Sequence, residues 1–149
     1  MRPKLSTSDS KGFTLVELMI VVGIITIIAT LAIPMFLNFM KKAKVVEGET
    51  AVTEIKRLED RYFLENLLYS NNLLTIAYDP SRLKYYAISI QLNGVGPPPF
   101  NYRITATANL DDDPDLDAWV ATSYTDGTSD LKHGCIPGGV GAVDFTCTD

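Results

Sequence analysis

The sequence predicts an α+β fold, one long N-terminal helix followed by a β-rich segment, on three observations. Residues 13–40 read FTLVELMIVVGIITIIATLAIPMFLNFM, an apolar run whose one charge is Glu17. Beyond it a helical period continues, with Ala51, Val52, Ile55, Leu58 and Tyr62 on one stripe. From Tyr86 the period falls to two, as expected of strands with one face on a core.

The apolar run is about 42 Å long as a helix, at about 1.5 Å of rise per residue, against a hydrocarbon layer of about 30 Å. Membrane insertion follows. A buried helix of a soluble protein is the alternative, but the rest of a 149-residue chain is too small to surround such a rod. Ahead of it stands MRPKLSTSDSKG, where Arg2, Lys4 and Lys11 against Asp9 favour a cytoplasmic amino end. Lys41, Lys42 and Lys44 beyond the other end weaken that bias. No small-residue cleavage site ends the apolar run, unlike an ordinary secretory signal.

Gly23 and Pro34 modulate the rod. Proline lacks a donor and clashes with the carbonyl four residues earlier, at Thr30, so the helix is expected to bend or lose hydrogen bonds there. Thr26 and Thr30 are read as packing residues whose hydroxyls bond to preceding carbonyls. In the amphipathic half, Glu54, Lys56, Arg57, Asp60 and Arg61 lie off the stripe, and Lys56 with Asp60 and Arg61 with Glu65 have ion-pair spacing. The aromatics Phe36, Phe39, Tyr62, Phe63 and Tyr69 are packing groups rather than an electron path. Ser70-Asn71-Asn72 marks the helix end.

Tyr86, Ile88, Ile90 and Leu92 alternate as a first strand, and Tyr102, Ile104, Ala106, Ala108 and Leu110 as a second. Residues 94–99, with three successive prolines, join them as a stiff loop. Residues 118–124 form a third strand, and Thr125-Asp126-Gly127 turns the chain into a short fourth at 128–132. Between the second and third lies Asp111-Asp112-Asp113-Pro114-Asp115-Leu116-Asp117, an acidic solvated turn whose spacing does not reproduce a calcium loop. Cys135 and Cys147 fall on the exported side, and their separation suits a disulfide; two buried thiols are the alternative. His133 reads as a surface residue, and no nucleophile or metal cluster accompanies it, so the sequence is not read as an enzyme and implies no cofactor or metal.

Lys11-Gly12-Phe13-Thr14-Leu15-Val16-Glu17, joined to an uninterrupted apolar run, resembles the prepilin processing site of type IV pilins and of the pseudopilins of type II secretion systems. The resemblance covers residues 11–69 well and the remainder in layout. It implies a type IV pilin-like fold, a long helix with a membrane half and an amphipathic half packed on a four-stranded antiparallel sheet. Its parts are a leader at 1–12, a transmembrane and polymerisation helix at 13–40, an amphipathic half at 41–70 and a β head with a C-terminal disulfide region at 71–149. It also implies cleavage between Gly12 and Phe13 by a prepilin peptidase, N-methylation of Phe13, and pairing of the Phe13 amine with Glu17 of a neighbouring subunit. The segment between residues such as Gly23 and Pro34 can unwind in filaments of the family.

Physical chemistry gives Glu17 its weight. A carboxylate costs roughly 2.5–3.5 kcal/mol at mid-membrane, less near the edge, so it either finds a partner or sits at the headgroups and snorkels. Three functions are open: a structural subunit of a type IV pilus serving adhesion, twitching motility or DNA uptake; a pseudopilin of a type II secretion system; and a monomeric membrane-anchored periplasmic binding module. The first implies a helical homo-oligomer as partner, with minor pilins and the inner-membrane assembly machinery. It places the chain in the inner membrane before assembly and in a surface filament afterwards. With a formal charge of −5, made more negative by loss of the basic leader, the head is not expected to bind nucleic acid.

Overall fold

The computed structural model describes residues 12–94, 100–111 and 113–147, so residues 1–11 of the expected leader at 1–12, residues 95–99 of the expected loop, Asp112 and residues 148–149 lie outside the described residues. Helix α1 spans Leu15–Asn66. Strands β1 (Ala87–Gly94), β2 (Phe100–Ala108), β3 (Leu116–Tyr124) and β4 (Ser129–Ile136) follow. The chain divides into two units, one ending at Phe39 and one beginning at Met40.

In the first unit α1 begins at Leu15 and contains Pro34. Thr26 Oγ1 donates to the Val22 carbonyl at 2.8 Å and Thr30 Oγ1 to that of Ile27 at 2.7 Å, which returns two hydroxyls to the helix backbone as expected. The large apolar side chains of residues 13–39 are exposed.

In the second unit the strands form one antiparallel sheet in the order β1-β2-β3-β4, a meander of sequence neighbours. Ile90 pairs with Ile104, Ile104 with Ala121 and Ala121 with Leu131, which aligns one face of the four strands. The core joins Ala51, Val52, Ile55 and Leu58 of α1 to Tyr102, Ile104, Ala106 and Ala121 of the sheet, with Ile76 and Tyr78 from the connection. This is the α+β arrangement expected, with the stripe buried as read. Close approach depends on Gly48, where a Cβ would stand 2.6 Å from the Tyr86 ring and 2.8 Å from Trp119.

Three local expectations are corrected. The helix ends at Asn66, ahead of Ser70, because Leu67 takes a left-handed φ of 58° and its N–H returns to the Phe63 carbonyl at 2.8 Å. Strand β4 starts one residue later than read but runs on to Ile136, since its far half pairs with 116–119 of β3. Lys56 and Asp60 turn to the sheet instead of to each other: Lys56 Nζ donates to Ser129 Oγ at 2.7 Å, and Asp60 accepts from Tyr102 Oη at 2.9 Å.

Candidate functional site

The amino end of α1 is built by Thr14 and Glu17. The Thr14 backbone N–H donates to Glu17 Oε2 at 3.1 Å and its hydroxyl to the same oxygen at 2.8 Å, while Glu17 N–H donates to Thr14 Oγ1 at 3.2 Å. Reciprocal bonds between an N-cap threonine and a glutamate three residues on constitute a capping box, which satisfies donors left open by the first helical turn. The pattern Thr-Leu-Val-Glu carries this signal in the sequence itself, beside the membrane charge for which Glu17 stands out. Phe13 stands one residue outside the cap, 87% exposed, directly after Gly12. A carboxylate offers about four lone-pair sites, so Glu17 keeps acceptor capacity beyond Thr14.

Cys135 and Cys147 are joined by a disulfide. The tail is also held by backbone: Cys135 N–H donates to the Asp144 carbonyl at 2.9 Å and Asp144 N–H to the Cys135 carbonyl at 2.7 Å. A side chain at Gly134 would strike that Asp144 carbonyl, so glycine admits the tail beside β4.

The carboxylates between β2 and β3 are more tied down than a solvated turn. Asp111 pairs with Lys41 at 2.7 Å, which holds its carboxyl below the usual range. Asp113 accepts from the Asp115 N–H at 2.9 Å, and Asp115 from the Gly138 N–H at 2.8 Å. Asp117 is buried, bonded to Tyr86 Oη and 2.7 Å from His133 Nε2. Burial, with Asp117 beside it, pushes the Tyr86 phenol up. His133 is therefore not the plain surface residue expected: it is half-buried and stacks on Trp119, its cross-strand partner, with ring centroids 4.4 Å apart. Sequence spacing gave no sign of this, since the three groups come from separate elements. Among the described residues no group of three or more His, Cys, Asp or Glu is placed to hold a metal ion.

The family description "Prokaryotic N-terminal methylation motif" matches residues 7–33, which includes Gly12, Phe13 and the capping box. The chain is 36% identical over 90 residues to a type IV major pilin protein of Myxococcus xanthus, covering 60% of this chain and 41% of that protein. It is 42% identical over 55 residues to a fimbrial protein of Pseudomonas aeruginosa, covering 37% and 36% respectively. A type IV wide pilus major component of Thermus thermophilus is 29% identical over 90 residues, covering 57% and 69%. In its N-terminal motif and in these partial matches the chain is similar to type IV pilins and fimbrial proteins. It spans less than half the length of the first two relatives. Pilin-like architecture joins an apolar N-terminal helix, long enough here to cross a membrane and with none of its apolar window buried in the chain, to a small head.

Proposed function

We propose that the chain is the precursor of a type IV pilus subunit, cut between Gly12 and Phe13, N-methylated on Phe13 and polymerised through residues 13–40. The observation that carries this reading is the apolar half of α1, whose large side chains are exposed and whose one charge sits four residues after the cleavage position. Before assembly the helix lies in the inner membrane with its amino end cytoplasmic. In the filament the same side chains pack on neighbouring copies, and the Phe13 amine pairs with Glu17 of an adjacent subunit in a low-dielectric core. Pro34 and Gly23 permit the intervening helix to lengthen under load. The disulfide-closed tail and the relatives' names favour a pilus subunit over a secretion pseudopilin.

Glu17→Gln tests the pairing with unusual selectivity, since glutamine also serves in a capping box and the local turn survives while the charge is lost. Thr14→Ala is the converse control, removing the cap and keeping the charge. The reading expects correctly processed membrane subunit from both, filaments from Thr14→Ala and few from Glu17→Gln. Normal filament yield from Glu17→Gln, expressed without the wild-type chain, would overturn the pairing. A mature chain that still carries Met1 would overturn the processing.

A further inference from the structure

The face of the sheet opposite the core carries its own pattern. Strand register sets two adjacent rows across all four strands, Gln91, Arg103, Thr122 and Asp130 in one, and Ser89, Thr105, Val120 and Lys132 in the next. The tail stands along one side of this face. Gly134 admits the Asp144 carbonyl, the Lys132 ammonium lies 5.6 Å from the centre of the Phe145 ring, and Val120 and Ile136 are buried. Tail and strands together line an open groove of about 500 Å³, with Val143 and Phe145 from the tail and the hydroxyls of Ser89, Thr105 and Thr107 from the strands. That volume falls within the range of about 300–1,000 Å³ typical of small-molecule sites.

The charges of the groove are unequally engaged. Asp130, the one carboxylate among the lining residues, is 2.9 Å from Lys132 Nζ and accepts from Tyr124 Oη at 2.9 Å. Arg103 has no such partner: its Nε donates to Thr122 Oγ1 at 3.4 Å, and the guanidinium lies 4.3 Å from the centre of the Phe100 ring. Among the described residues its two terminal nitrogens have no acceptor. That end of a guanidinium is the one that grips a carboxylate with two parallel bonds.

We propose that this groove binds an acidic saccharide, its carboxylate on the Arg103 fork, its ring hydroxyls on Gln91 and the threonine hydroxyls, and a C–H face of the ring against Phe145 and Val143. Each feature narrows the occupant. A bare anion would use Arg103 alone, and an apolar ligand would strip water from Ser89, Gln91, Thr105 and Thr107 and return no hydrogen bond. A peptide strand binds through its backbone to an open sheet edge, whereas β2 and β3, which form the floor, are each paired on both sides. A polyol bearing a carboxylate meets the fork, the hydroxyl row and the apolar wall at once. The threonines are β-branched and stiff, and the strands fix their spacing, so little freedom is lost when they bind. The lining residues all fall within 89–145, so binding needs neither the apolar half of α1 nor a filament.

The test is calorimetric titration of the full chain, held in a polyoxyethylene detergent that carries no sugar, with trigalacturonate, its neutral trimethyl ester and sodium acetate. Wild type should bind trigalacturonate saturably at one site per chain, and the ester on the order of tenfold more weakly. Arg103→Gln should bring the acid down to the affinity of the ester. Thr105→Val with Thr107→Val, which keeps the β-branched shape of the strand, should weaken acid and ester alike by about threefold to tenfold. Melting at the wild-type temperature shows that a variant is folded; if Arg103→Gln does not fold, Arg103→Lys, which keeps the charge and loses the fork, should weaken the acid alone. No saturable binding of trigalacturonate to wild type, unchanged affinity in the folded Arg103 variant or in the threonine pair, or displacement of the trisaccharide by acetate at equal carboxylate concentration would each overturn the saccharide site.

Discussion

Helix α1 contains two stretches, one apolar all round and one amphipathic, whose apolar side chains meet opposite fates. In residues 13–39 the large apolar side chains are exposed, whereas in the amphipathic half Val52 and Ile55 are fully buried against the sheet. The backbone is helical throughout, so secondary structure does not make the difference. What differs is whether the same chain supplies a complementary surface. The second stretch meets Tyr102, Ile104 and Ala106, while among the described residues the first unit, which ends at Phe39, contributes the helix and the residues just before it. A stretch apolar all round must look outside the chain, to lipid or to other copies.

The largest effect expected from breaking this contrast belongs to the first stretch. Glu17→Gln should reduce filament yield to a small fraction of wild type, reflecting a loss of about 3–5 kcal/mol per broken buried pair, while thermal melting of the head is unchanged. In the second stretch Ile55→Ala should destabilise the head by about 2–5 kcal/mol, read from its melting, and leave processing at Gly12 and Phe13 intact. Together the two variants separate assembly from folding along one helix.

A somewhat smaller effect is expected at the tail. Replacing Cys135 and Cys147 by serine should cost about 3 kcal/mol, the loop-closure value for a ring of this size, and should render the tail sensitive to protease. Reducing agent should reproduce the change in the wild type and do nothing to the double variant.

The smallest effect concerns Glu59, the one carboxylate of α1 that is fully buried. Its Oε2 accepts from the Ser70 N–H at 3.1 Å, and Oε1 has no hydrogen-bond partner among the described residues. Burial pushes its carboxyl above the usual 4.5. A carboxyl with a raised folded-state value contributes stability that is fully present below 4.5 and is lost as pH rises through the raised value. Glu59→Gln keeps an acceptor for Ser70 and removes the charge. It should stabilise the head by about 1 kcal/mol at neutral pH and flatten this part of the pH dependence, measured by melting between acid and neutral pH.

Much of this was legible along the chain, for reasons of period. Tyr102, Ile104, Ala106 and Ala108 alternate strictly, so the middle of β2 is plain, although the strand begins two residues earlier, at Phe100, and stops short of Leu110. The stripe of Ala51, Val52, Ile55 and Leu58 was equally plain. The far half of β4 was not, because His133, Gly134 and Cys135 follow no simple hydrophobic alternation and are strand only because β3 lies beside them. Glu59 was invisible for the same kind of reason: a charge next to Leu58 reads as solvent-facing until Ser70 folds back to bond it.

The sequence by itself determined the long helix, its apolar first half with Glu17 as the single charge, the placing of Gly12 and Phe13 before it, and the alternating strands. Each depends on residues close together in the chain, where period and composition carry the information. Only the tertiary structure decided that Asp117 is buried between Tyr86 and His133, that Gly48 seats the helix on two rings, and that β1 and β4 are the edges of the sheet, with the tail bridged to β4. Those are contacts between residues far apart in sequence. No local pattern encodes them, because burial of a charge or exposure of an edge depends on which other segment arrives beside it.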